Sequence, residues 1–96
     1  MKGEEKLWQI LQDKLEMLRA GSRLPEALRV GETALEMAQR IFPRDHPSLA
    51  LSYERLGQIH DHQGNHGEAK VLLEKALRIV DAIEPPDQQA IYRLAR

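Results

Sequence analysis

His60, Asp61, His62 and His66 lie close together in the sequence, and imidazole and carboxylate are competent ligands for zinc or nickel. Their spacing speaks against a metal centre. His60 and His62 are two apart on a helical segment and face different directions, while His66 lies beyond the turn signal Gly64. The expectation is therefore no metal site, with His60 packed and the other two solvated. Nothing else in the chain assembles a catalytic set: there is no Gly-rich phosphate loop, no serine in a strand-turn-helix setting, and no carboxylate pair gathered by periodicity. Cysteine is absent, which removes thiol nucleophiles, thiolate metal sites and disulfides. The chain reads as non-enzymatic and free of cofactors. Its single tryptophan, Trp8, sits beside the apolar stripe of the first helical segment and has two readings, an anchor for a partner or a residue packed on the neighbouring helix.

Charge narrows the partners. The 96 residues carry 14 basic and 15 acidic side chains, net −1, interspersed without the basic block that nucleic acid or an anionic membrane surface requires. No apolar run approaches the ~20 residues of a membrane span. The N-terminal Met1–Lys6 leads into an amphipathic segment rather than a signal peptide. Protein partners and a cytoplasmic location are expected, with no nucleic acid and no membrane.

The elements that would position these residues are helices. Leu7, Ile10, Leu11, Leu15 and Leu18 recur at helical spacing up to about Arg19, and Gly21-Ser22 ends the run. Pro25 and Glu26 open a second helix with the stripe Ala27, Val30, Ala34, Leu35, Ala38 and Ile41, stopped by Phe42-Pro43. Asp45 is the expected N-cap of a third, followed by Pro47 and the stripe Leu49, Tyr53, Leu56 and Ile59. A fourth runs from about Gly67 to Ile83 with Ala69, Leu72, Leu73, Ala76, Leu77, Val80 and Ile83 on one side. Pro85-Pro86 stops it, Asp87 repeats the cap, and Ile91, Leu94 and Ala95 mark a short fifth helix. Short links force antiparallel neighbours.

The chain also echoes itself at a shift of forty-two residues. Leu7 falls on Leu49, Glu26-Ala27 on Glu68-Ala69, Glu32 on Glu74, Ala34-Leu35 on Ala76-Leu77, Ile41 on Ile83, Pro43 on Pro85 and Asp45 on Asp87. A fixed period of this size marks a repeat architecture, in which each unit buries its apolar face on the next. The second unit, Tyr53-x2-Leu56-Gly57-x2-His60, then Gly64, then Ala69-x3-Leu73-x2-Ala76, resembles a tetratricopeptide repeat. Gly57 and Ala69 lack bulk where the paired helices cross, and Tyr53 and Leu73 fill the space beside them. His60 stands where that family has tyrosine and Asp81 where it often has proline. The first unit matches less well, because Leu11, Lys14 and Leu15 replace the tyrosine, Leu and Gly. The forty-two-residue period and Phe42-Pro43-Arg44-Asp45-His46-Pro47 are similar to the kinesin-light-chain-like subclass.

The resemblance implies an all-α, right-handed α-solenoid of antiparallel helix hairpins forming one domain over 1–96. Repeat 1 would span about 7–42, repeat 2 about 46–84 and a closing helix about 87–96. It also implies a non-catalytic adaptor whose first helices line a concave groove for a partner's peptide or helix. The residues of those helices turned away from the hairpin core are Gln9, Gln12, Glu16 and Arg19, and Leu51, Glu54, Gln58 and Asp61. Glu54 and Gln58 stand where some members place Lys, Asn and Arg to grip a C-terminal carboxylate, so a basic or polar peptide is the better electrostatic match. A second expectation concerns assembly. Stacked repeats usually need about three units and polar caps, and two units with Ile91, Tyr92 and Leu94 in the last helix suggest a homodimer through the C-terminal end, including exchange of that helix.

Overall fold

A computed structural model describes residues 2–83. They form α1 (Lys2–Ala20), α2 (Leu24–Ile41), α3 (Pro47–His62) and α4 (His66–Ile83), and among the described residues there is no strand. Successive helices pack on one another, α1 on α2, α2 on α3 and α3 on α4, through links too short for anything but antiparallel neighbours. The fold is an all-α helical repeat. The fifth helix expected over 87–96, with Ile91, Tyr92 and Leu94, lies outside the described residues.

Local chemistry sets the helix ends. Glu4 and Glu5 occupy the first turn of α1, where a carboxylate meets the positive end of the helix dipole, and the helix begins five residues before Leu7. It closes with Gly21 N–H donating to Met17 O at 3.1 Å and Arg23 N–H to Leu18 O at 2.9 Å. The residue in the left-handed region is Ser22 (φ 61°) rather than Gly21, a conformation that costs an L-residue roughly 1–2 kcal/mol. Pro25 lies in the first turn of α2 with Glu26, and Arg23 pairs with Glu26. Gly64 has φ 85° in the α3–α4 turn, where glycine bears no such cost. The N-cap of α3 is His46, not Asp45: its Nδ1 accepts from Ser48 N–H at 3.0 Å. The ring is held there by stacking on Phe42 (centroids 4.5 Å apart), which meets Trp8 edge-on at 5.2 Å.

The buried stripe of α1 is rotated from the leucine pattern. Trp8, Gln12, Leu15 and Leu18 face inward, whereas Ile10 is 56% exposed and Leu7 46%. An indole buries more surface than a leucine side chain and demands a partner for its N–H, and both needs are met on one side only. On α4 the expected stripe splits into two rows. Ala69, Leu72 and Ala76 are buried, while Leu73, Leu77, Val80 and Ile83 remain exposed.

Each hairpin closes through one small residue against one large one, and the two units assign them oppositely. In the second unit Gly57 on α3 faces Leu73 on α4, so closely that a Cβ on Gly57 would lie 3.0 Å from Leu73 Cγ and 3.3 Å from the Ala69 carbonyl oxygen. Forty-two residues earlier stand Leu15 and Gly31. A Cβ on Gly31 would lie 3.0 Å from Leu15 Cδ1, and also 3.0 Å from Leu56 Cδ1 of α3. The first unit therefore keeps the close crossing with its bulk transferred from one helix to the other, which explains why Leu15 stands at the expected glycine. Gly57→Leu is predicted to destabilise the protein by about 2–3 kcal/mol through overpacking. Adding Leu73→Gly should restore at least about 1 kcal/mol of that, a coupling of the size expected for residues in contact, as read by urea denaturation.

Candidate interaction surfaces

α1 and α3 lie side by side and are joined by two polar links. One is buried. Trp8 Nε1–H donates to Ser52 Oγ at 2.8 Å and Gln12 Nε2–H to the same oxygen at 3.2 Å, so both acceptor sites of the hydroxyl are used. Gln12 is only 1% exposed, and its Oε1 is buried without a hydrogen-bond partner. Gln12 therefore does not belong to the outer face on which its spacing had placed it. The demand of Trp8 for burial turns α1 and carries Gln12, four residues on, inward with it. Of the two readings of Trp8, packing on the neighbouring helix is the one realised.

The second link is a surface ion pair. Glu16 Oε1 lies 2.9 Å from Arg55 Nη1 of α3, and Glu16 Oε2 lies 2.7 Å from Arg19 Nη2. The Glu16 carboxylate raises the pKa of Arg19 above its ordinary value, by hydrogen bonding first and by charge second. Arg19 and Glu16 are half-buried and neutralise one another in part. Gln9 is exposed and donates to Asp13 Oδ1 at 3.1 Å. On α3, Glu54, Gln58 and Asp61 are exposed and Leu51 is half-buried. Their spacing puts them on one helix face. Of the eight residues, Gln12 is buried, Glu16, Arg19 and Leu51 are half-buried, and Gln9, Glu54, Gln58 and Asp61 are exposed.

The histidines make separate contacts. His66 Nδ1 lies 2.7 Å from Asp61 Oδ1, and His60 Nδ1 lies 3.4 Å from Asn65 Nδ2, each tying α3 to the turn or to α4. Among the described residues no three His, Cys, Asp or Glu side chains are grouped to hold a metal ion.

A second surface was not anticipated. Pro47, Ala50, Leu51 and Glu54 of α3 and Leu73, Ala76, Leu77, Val80 and Ile83 of α4 line a groove of about 580 Å³. Leu51 and Glu54 are shared with the polar face, and the rest of the lining is almost wholly apolar. The signal for it lay in the repeat. Ala76, Leu77 and Ile83 echo Ala34, Leu35 and Ile41, which in the first unit are buried or half-buried.

Paired antiparallel helices, crossing at a residue without a side chain, define a helical-repeat fold. The chain belongs to the tetratricopeptide repeat family, whose model matches residues 16–82. Repeats of this family mediate protein–protein interaction and are not catalytic. Comparison with curated proteins and with solved structures gives no match. No helix among the described residues is long and apolar enough to cross a membrane.

Ser52→Ala is predicted to leave the Trp8 and Gln12 N–H groups buried and unpartnered. Each such group costs about 1–3 kcal/mol, so the variant should lose at least about 2 kcal/mol in a urea titration followed by Trp8 emission.

Proposed function

We propose that this chain is a cytoplasmic adaptor of the kinesin-light-chain-like subclass, holding a partner's extended peptide or helix along the outer faces of α1 and α3. The observation that carries the reading is the row Leu51, Glu54, Gln58 and Asp61, three of them exposed, on a helix linked to α1 by the buried Trp8–Ser52 hydrogen bond and the Glu16–Arg55 pair. Gln9, Glu16 and Arg19 extend the row on α1, and Gln12 is left out because it is buried. A surface held by packed helices binds without first having to be ordered, which reduces the entropy cost of association. Acids outnumber bases along it: Asp13, Glu16, Glu54 and Asp61 stand against Arg19 and Arg55, both already on Glu16. A basic or polar peptide is the complementary ligand, steered by charge and positioned by Leu51.

Self-association is the second reading, and the apolar row of Leu73, Leu77, Val80 and Ile83 favours it. A monomer in sedimentation at micromolar concentration removes it.

The peptide reading is tested by titrating the isotope-labelled chain with an extended Lys/Arg-rich peptide and with the same peptide carrying Glu at its charged positions. The basic peptide is expected to shift amide resonances along 51–61, more weakly as salt screens the charges. Glu54→Lys with Asp61→Lys is expected to cut its affinity about tenfold, roughly 1.4 kcal/mol. Equal responses to both peptides, or none on α3, contradict the reading.

A further inference from the structure

α1 carries large apolar side chains on two sides. Trp8, Leu15 and Leu18 are buried against the other helices, whereas Leu7, Ile10 and Met17 are 46%, 56% and 74% exposed. Together with the exposed Lys14 they stand at steps of three, four and three residues, a spacing that keeps side chains in one line along a helix. At 1.5 Å per residue the line runs for about 15 Å. It is distinct from the polar α1–α3 face, because Gln9 and Glu16 each precede a member of the row by one residue and so lie about 100° round the helix from it. It is distinct also from the α3–α4 groove, none of whose walls comes from α1.

We infer that a second copy of this chain docks on the row, α1 against α1 in antiparallel orientation about a twofold axis. Steps of three, four and three read the same in both directions. An antiparallel copy therefore sets Leu7 against Met17 of the second copy and Ile10 against Lys14 of the second copy, and the twofold axis repeats both contacts.

Charge selects the orientation and the occupant. In a parallel pairing Lys14 would meet Lys14 of the second copy in the middle of the apolar row, a like-charge contact that opposes association. In the antiparallel pairing its stem lies over Ile10 of the second copy, with the ammonium carried outward to Asp13 of the second copy at the edge of the row. Two such Lys14–Asp13 pairs flank the axis. Among the described residues neither Lys14 nor Asp13 forms an ion pair within the chain, and the contact of Asp13 is the neutral Gln9 amide at 3.1 Å. One helix thus supplies both the apolar strip and the counter-charge that its own lysine needs, which is the condition for a self-complementary interface.

Three apolar side chains per copy make a small contact, at the low end of specific interfaces and below about 1,200 Å² in total. The dimer is accordingly weak and exchanges with monomer, with half-association expected at about 10–100 µM. It involves neither α3 nor α4.

Sedimentation velocity of the full chain over about 1–500 µM tests the inference and is expected to show a reversible dimer. Asp13→Lys gathers lysines round the axis and Lys14→Asp gathers acids there; each should weaken the dimer about tenfold, because every substitution acts twice across the axis. Combining the two exchanges the charges and keeps the pairs, which should restore the dimer to within about threefold of the original. Leu77→Asp, in a wall of the α3–α4 groove, should leave it unchanged. A chain that stays monomeric throughout, single variants that associate as strongly as the original, or a double variant no better than the singles overturns the inference. Loss of the dimer in Leu77→Asp overturns it too, by placing the contact at α3–α4. Asp13 and Lys14 are exposed, and unchanged Trp8 emission checks that each variant keeps the fold. The peptide titration reads resonances of α3, so its outcome and this one stand separately.

Discussion

The absence of a side chain at Gly31 is the constraint through which the two hairpins become one body. Three leucine or isoleucine side chains from two helices converge on that spot: Leu15 of α1, and Leu56 and Ile59 of α3, with contact points 3.0, 3.0 and 3.6 Å from where a Cβ would stand. Leu15 and Ile59 are completely buried, so what α2 gives up in bulk its neighbours recover as packing. Interiors are close-packed and intolerant of both gaps and overlaps. The register of α1 against α2, and of α3 against both, is therefore set at a single crossing. The polar links follow from it: Trp8 and Gln12 reach Ser52 and Glu16 reaches Arg55 because α1 and α3 are already neighbours.

A helix pair whose inner side is fixed in this way leaves its outer sides for other work, and the two outer surfaces differ in chemistry. The α1–α3 face is polar and acid-rich, suited to charge-steered recognition. The α3–α4 groove is apolar, the kind of surface that soluble proteins keep covered.

Much of the architecture was legible in the sequence because periodicity and breakers report on backbone geometry directly. Four helices and the Gly64 turn follow from spacing and breakers, and the close approach at Gly57 from the resemblance to the repeat motif. What depends on a distant partner was less accessible. The inward face of α1 is chosen by Trp8, whose N–H finds Ser52 forty-four residues away, and Gln12 is carried inward with it. The N-cap of α3 passes from Asp45 to His46 because stacking on Phe42 holds the imidazole where it can accept from Ser48. The Leu15–Gly31 exchange looked like a lapse of the motif, since a pattern written for one helix does not register compensation on another. The apolar groove was hidden because its α4 residues read as core, and their exposure is decided by what covers them rather than by their own spacing.

Native-state hydrogen exchange is the measurement closest to the central claim, because it reports whether segments open separately or together. If Gly31 joins the hairpins, the slowest amides of α1, α2 and α3 share one opening free energy, equal to that of global unfolding. A slow core confined to α3 and α4, with α1 and α2 opening at distinctly lower free energy, would show two hairpins in contact rather than one cooperative unit, and would contradict the account.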